Sequence, residues 1–75
     1  MIISLEQLSE IFSDVLDEEI QVSYNSTQNE LESWDSLNHL NLIVELEGRL
    51  QVRFTTDEIE KMKSVTEIMK ILDTK

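Results

Sequence analysis

Across its 75 residues the chain has no proline and a single glycine, Gly48. Those two residues supply the fixed and left-handed backbone angles of tight turns, so a turn-rich all-β domain has little to build its corners from. Long stretches are free to be helical, and the expected class is all-α. Cysteine is also absent, so neither disulfides nor a zinc site of the usual Cys/His kind can staple the fold. One domain over residues 1–75 is expected, near the lower limit of independent stability and held by helix packing.

Helix starts are marked by capping spacings. Ser4 and Gln7 precede Leu5, Leu8, Ile11, Phe12 and Val15 at helical intervals, which predicts a first helix over about residues 4 to 17. The stretch "EEIQVSYNSTQNELES" has no sustained period and gathers Ser, Asn, Thr and Gln, so it reads as a long connection. Loops of this length in small domains are pinned or functional, and Ile20, Val22, Tyr24 and Leu31 are the expected pins. From Ser36 to about Gln51 a second, central helix is predicted, with Leu37, Leu40, Ile43, Val44, Leu46 and Leu50 as its apolar stripe. Asp35 is its N-cap, and Ser36 falls at the first helical position. Gly48 costs that helix about 1 kcal/mol relative to alanine, so its end is expected to be loose or closely packed on a neighbour. Thr55 with Glu58 predicts a short helix near 56 to 61, and Ser64 with Glu67 a last helix through Val65, Ile68, Met69 and Leu72. The architecture expected is three main helices and one short one, with the long loop between the first two.

Sixteen acidic against six basic residues give a formal charge of −10. Such a surface repels nucleic acid and anionic lipid and favours partners with basic patches. No apolar run approaches a membrane span, and the start "MIISLEQLSE" lacks the features of a signal peptide, so a cytoplasmic protein is expected.

Catalytic chemistry has one suggestive set, Asp35, Ser36 and His39. Neighbours on one helix are poorly arranged for a triad, in which the histidine must bridge serine and carboxylate from opposite ring nitrogens. No segment has the ligand pattern of a calcium loop, and no metal site is expected. Glu45, Glu47, Glu58, Glu60 and Glu67 read as a solvated or partner-facing surface, and Met62 and Met69 as core. Ser36 alone is an ordinary first-turn serine. A helix N-terminus does present free amides and a positive dipole end, however, so a phosphate esterified there would sit in a favourable field.

With Asp35-Ser36-Leu37 at the start of the central helix, the chain resembles the acyl carrier proteins, small acidic helical carriers modified on the serine of that motif. "DSLNHLNLIVELEGRLQVRF" looks like the family's second helix and its exit, and "TTDEIEKMKSVTEIMKIL" like its short third helix and last helix. The resemblance implies 4′-phosphopantetheine attached to Ser36 within Asp35-Ser36-Leu37 by a phosphopantetheinyl transferase, using coenzyme A. The arm's thiol would hold acyl or aminoacyl groups as thioesters. The protein would then be a monomeric carrier and not an enzyme, serving a loading ligase and a downstream transferase or synthase. Glu45 and Glu47 match the family's acidic docking helix, where basic patches on partners would sit.

The motif's neighbours differ from carriers of primary fatty-acid synthesis, with Trp34, Asn38, His39 and Asn41 where a small residue and acidic residues are usual. A free-standing carrier in a specialised pathway is therefore expected, with Asn38, His39 and Asn41 as further partner contacts. Trp34 is expected to cover the core in preference to an exposed place beside the arm. His39, one turn after Ser36, reads first as an exposed histidine without special role and second as a contact to phosphate or partner. Ile43, Val44, Leu46, Leu37, Met62 and Ile68 are candidates for an apolar interior that shelters cargo or is simply packed. The alternative to a carrier is an acidic helical interaction domain with no prosthetic group.

Overall fold

Each helix begins where a short polar side chain accepts from the free amides of the first turn. Ser4 caps α1 (Leu5–Leu16), accepting from the Gln7 amide at 3.2 Å while the Gln7 side chain accepts from the Ser4 amide at 2.9 Å. Asp35 caps α2 (Ser36–Leu50) through the Asn38 amide at 2.8 Å. Thr55 and Glu58 form a second reciprocal box at the start of α3 (Thr56–Lys61). Ser64 caps α4 (Val65–Asp73) by half of that arrangement, accepting from the Glu67 amide at 3.2 Å. The structure, a computed structural model, describes residues 3–75. Among them no helix is long and apolar enough to cross a membrane.

The all-α class and the long first loop are as the sequence predicts. Glycine plays no part in ending the helices. Asp17 and Gln51 take the left-handed C-cap conformation, both at φ 55°, which costs an L side chain roughly 1–2 kcal/mol. Gly48 lies instead within α2, with nothing within 4 Å of where a Cβ would be. The close packing that its presence suggested is absent, and the helix continues regularly to Leu50.

α1 packs on α2, and α3 leans on α4. Leu8, Ile11, Phe12 and Leu16 of α1 meet Leu42, Ile43 and Leu46 of α2 and Val65, Ile68, Met69 and Leu72 of α4, with Met62 between α3 and α4. Trp34 enters this core from the loop, 1% exposed, its ring edge-on to Phe12 at 4.9 Å and 82°. A tryptophan so placed contributes on the order of 4 kcal/mol of apolar burial, which helps a loop to be ordered.

The loop is also stitched by hydroxyls. Ser13 Oγ both accepts from the Ile20 amide and donates to its carbonyl, at 2.9 and 3.0 Å, and Ser9 Oγ accepts from the Val22 amide at 2.9 Å. Val22 is buried, and Ile20 and Leu31 pack against the core as expected. Tyr24 does not: its side chain is exposed, and its carbonyl accepts from Thr66 Oγ1 at 2.6 Å.

The stripe expected on α2 needs a larger correction. Leu37, Leu40 and Val44 are 69%, 56% and 65% exposed, and the buried face runs through His39, Leu42, Ile43 and Leu46. Of the proposed interior set, Ile43, Leu46, Met62 and Ile68 are buried, whereas Leu37 and Val44 face outward.

Candidate functional site

Ser36 stands at the first position of a helix of 15 residues, exposed, and its hydroxyl has no hydrogen-bond partner among the described residues. The Asp35 carboxylate is turned to the Asn38 amide, and the Asp35 carbonyl accepts from the His39 amide at 2.8 Å. No acidic residue lies in the first turn beyond the cap. The amides of Ser36 and Leu37 precede the first intrahelical bonds, so partial positive charge gathers around the serine. The local arrangement suits an anion joined to this oxygen.

One turn on, His39 is 9% exposed. Its Nδ1 lies 3.0 Å from Trp34 Nε1 and its Nε2 2.8 Å from the Ile59 carbonyl. An indole N–H only donates and a carbonyl only accepts, so Nδ1 is the acceptor and Nε2 carries the proton. The expectation of an exposed histidine available to partners is thus corrected. Both ring nitrogens are occupied inside the protein, joining the loop, α2 and α3, and neither faces Ser36 or the Asp35 carboxylate as a triad requires. Trp34 is in the core, as expected.

Between α2 and α3 lies a cleft of about 290 Å³, lined by Gln28, Ser36, His39, Leu40, Ile59, Glu60 and Lys63. Ser36 is part of its lining, with Leu40 and Ile59 supplying apolar wall. Leu37, Leu40 and Val44 continue from it along the outer side of α2 at helical spacing, an exposed apolar stripe beside the serine.

The remaining candidate residues are more engaged than their sequence positions suggest. Asn38 donates to the Ser33 carbonyl at 2.7 Å and accepts from Asn41 at 3.3 Å, while Asn41 itself is exposed. Glu45 binds Arg49 at 2.9 Å, and Arg49 reaches across to Asp14 on α1 at 2.6 Å. The guanidinium is held the more firmly protonated by Asp14 first and Glu45 second. Glu47 is half-buried and accepts from the Phe54 amide at 3.0 Å. Sequence reasoning missed the exposure of Leu37, Leu40 and Val44 and the presence of Gln28 and Lys63 at the cleft. The burial of His39 had one readable signal: a buried tryptophan needs an acceptor for its N–H, and an imidazole stands five residues away.

No family model matches the sequence, and no curated protein does. Among solved structures the chain is similar to a holo acyl carrier protein from Geobacter metallireducens, determined in solution by NMR. The TM-score is 0.86 at 36% identity, over 95% of this chain and 83% of the other.

Proposed function

The chain belongs to the acyl carrier protein family, and on that premise we propose that Ser36 takes a 4′-phosphopantetheine arm and that the loaded protein carries acyl or aminoacyl intermediates between enzymes. The supporting observation is Ser36 itself, exposed, without a hydroxyl partner among the described residues, and at the positive end of α2. In the modification the Ser36 oxygen attacks the phosphorus of coenzyme A that bears pantetheine. A new P–O bond forms, the bond to the adenosine 3′,5′-bisphosphate portion breaks, and the hydroxyl proton passes to a base on the transferase. When attached, the arm supplies the thiol for thioester formation that a chain without cysteine lacks.

Asp35 holds the first turn in place for this step, and the exposed Leu37 is the transferase's first contact after the serine. Partners read the stripe Leu37, Leu40 and Val44, with Asn38, Asn41, Glu45 and Glu47 at its margins; basic groups on a partner would meet the net negative charge. The protein carries its cargo without transforming it. The single carrier domain over residues 1–75 would work in the cytoplasm as a monomer.

Asn38 and Asn41 leave the first turns of α2 without the acidic groups usual in primary fatty-acid carriers, which supports a dedicated carrier of a specialised pathway. Incubation with coenzyme A and a broad-specificity phosphopantetheinyl transferase, followed by intact mass measurement, tests attachment. A folded protein that gains no mass would favour the acidic interaction domain. Assay of the holo form with enzymes of primary fatty-acid synthesis tests the pathway: performance equal to that pathway's own carrier would rule out a dedicated role.

A further inference from the structure

Lys63 lies in the short connection between α3 and α4, and its backbone is held on both sides. The Gln28 amide donates to the Lys63 carbonyl at 2.8 Å, the Lys63 amide to the Lys61 carbonyl at 2.9 Å, and the Val65 amide to the Ser26 carbonyl at 2.9 Å. An antiparallel bridge joins Thr27 and Ser64. This lacing fixes the loop against the α3–α4 connection, and Gln28 and Lys63 line the same cleft as Ser36.

Charge makes the position of Lys63 informative. Arg49, Lys70 and Lys75 each form an ion pair with a carboxylate. Lys63 forms none among the described residues, although Glu60 lines the same cleft and the chain has sixteen acidic groups to offer. Among the described residues it is the only cation in the cleft lining, and it is solvent-exposed. A surface lysine without a partner is ordinary. One anchored by its backbone at a cleft that Ser36 also lines is placed on the side of the protein where modification would create a new anion.

Resting on the carrier reading above, we infer that Lys63 is a positioning residue for the prosthetic arm: its ammonium pairs with the phosphodiester on Ser36, and the Gln28 carboxamide donates to the same group. A phosphodiester bears one negative charge; the N-terminus of α2 favours it there, while the net charge of −10 works against it, so a nearby ammonium adds to the hold. The flexible four-carbon stem of lysine delivers a compact charge without demanding bidentate geometry. With the phosphate so held, the arm begins over the cleft between Leu40 and Ile59 and does not swing freely in solvent.

The test uses holo protein whose arm has been verified by mass, comparing wild type with Lys63→Gln and Lys63→Arg. Circular dichroism checks that both variants fold, as expected for an exposed side chain. Two NMR readouts are followed: the side-chain ammonium 15N resonance of Lys63 before and after modification, and the 31P linewidth of the phosphodiester. The expected result is a shift of the ammonium resonance on modification and a narrower 31P line in Lys63→Gln. High salt, which screens exposed charges, should narrow the wild-type line in the same way, and Lys63→Arg should retain the wild-type width. A 31P line unchanged by Lys63→Gln and by salt overturns this inference and leaves the carrier reading intact. A folded protein that accepts no arm overturns both.

Discussion

The indole N–H of Trp34 donates to Nδ1 of His39 at 3.0 Å, and the opposite nitrogen of the same ring donates to the Ile59 carbonyl at 2.8 Å. One neutral imidazole thereby ties the end of the long loop, the start of α2 and the last turn of α3. Replacing it by an apolar side chain orphans a donor and an acceptor together. His39→Leu should therefore lose about 2–6 kcal/mol in urea unfolding, at roughly 1–3 for each unsatisfied group. Trp34→Phe removes the donor, and the two substitutions combined should cost less than their sum. Strict additivity in that cycle would mean that the hydrogen bond contributes nothing.

Gly48 occupies open space in regular helix, so neither sterics nor backbone angle requires glycine there. Gly48→Ala should stabilise the protein by about 0.5–1 kcal/mol, seen as a higher denaturation midpoint. A loss of stability would contradict the open surroundings of that position.

Leu40 and Val44 are large apolar residues left outside the core. Leu40→Ser and Val44→Ser should change folding stability by no more than about 0.5 kcal/mol. Loading by the cognate ligase should fall about tenfold or more if the stripe is a docking anchor, the effect of losing some 1.4 kcal/mol of contact. Equal loading rates in the variants would remove the stripe from the partner surface.

At the C-terminus Lys75 reaches Glu58 at 2.8 and 3.1 Å. The Lys75 ammonium first, and the Thr55 amide second, hold the Glu58 carboxyl below its ordinary value. A carboxylate whose pKa is lowered by folding adds stability above its unfolded pKa and loses it as pH falls through the folded one. Glu58→Gln should therefore be less stable than wild type near neutrality, with the difference closing under acid. Urea midpoints across a pH series would show it, and a gap that persists at low pH would place its origin elsewhere.

The helix starts were legible because capping is local. Ser4 with Gln7 and Thr55 with Glu58 each specify a reciprocal pair within four residues, and both pairs form. The inward face of α2 was not legible from spacing. Leu37, Leu40 and Val44 make one helical stripe and His39, Leu42, Ile43 and Leu46 another, and both satisfy the same periodicity. Tertiary contact decided between them: Trp34 enters the core and draws His39, a polar residue, to the buried side. Lys63 was equally hidden, because its proximity to Ser36 is set by backbone bonds between the loop and the α3–α4 connection. Those pairings join segments far apart in the chain. Within Asp35-Ser36-Leu37, the Asp35 cap and the first-turn place of Ser36 were readable, since both depend on neighbouring residues alone, whereas the outward turn of Leu37 was not.

The most direct test of the central claim is the intact mass of this protein after incubation with coenzyme A and a broad-specificity phosphopantetheinyl transferase. A gain equal to one phosphopantetheine, absent in a folded Ser36→Ala variant, is the predicted result. A folded wild-type protein of unchanged mass, or a gain that survives Ser36→Ala, would contradict it.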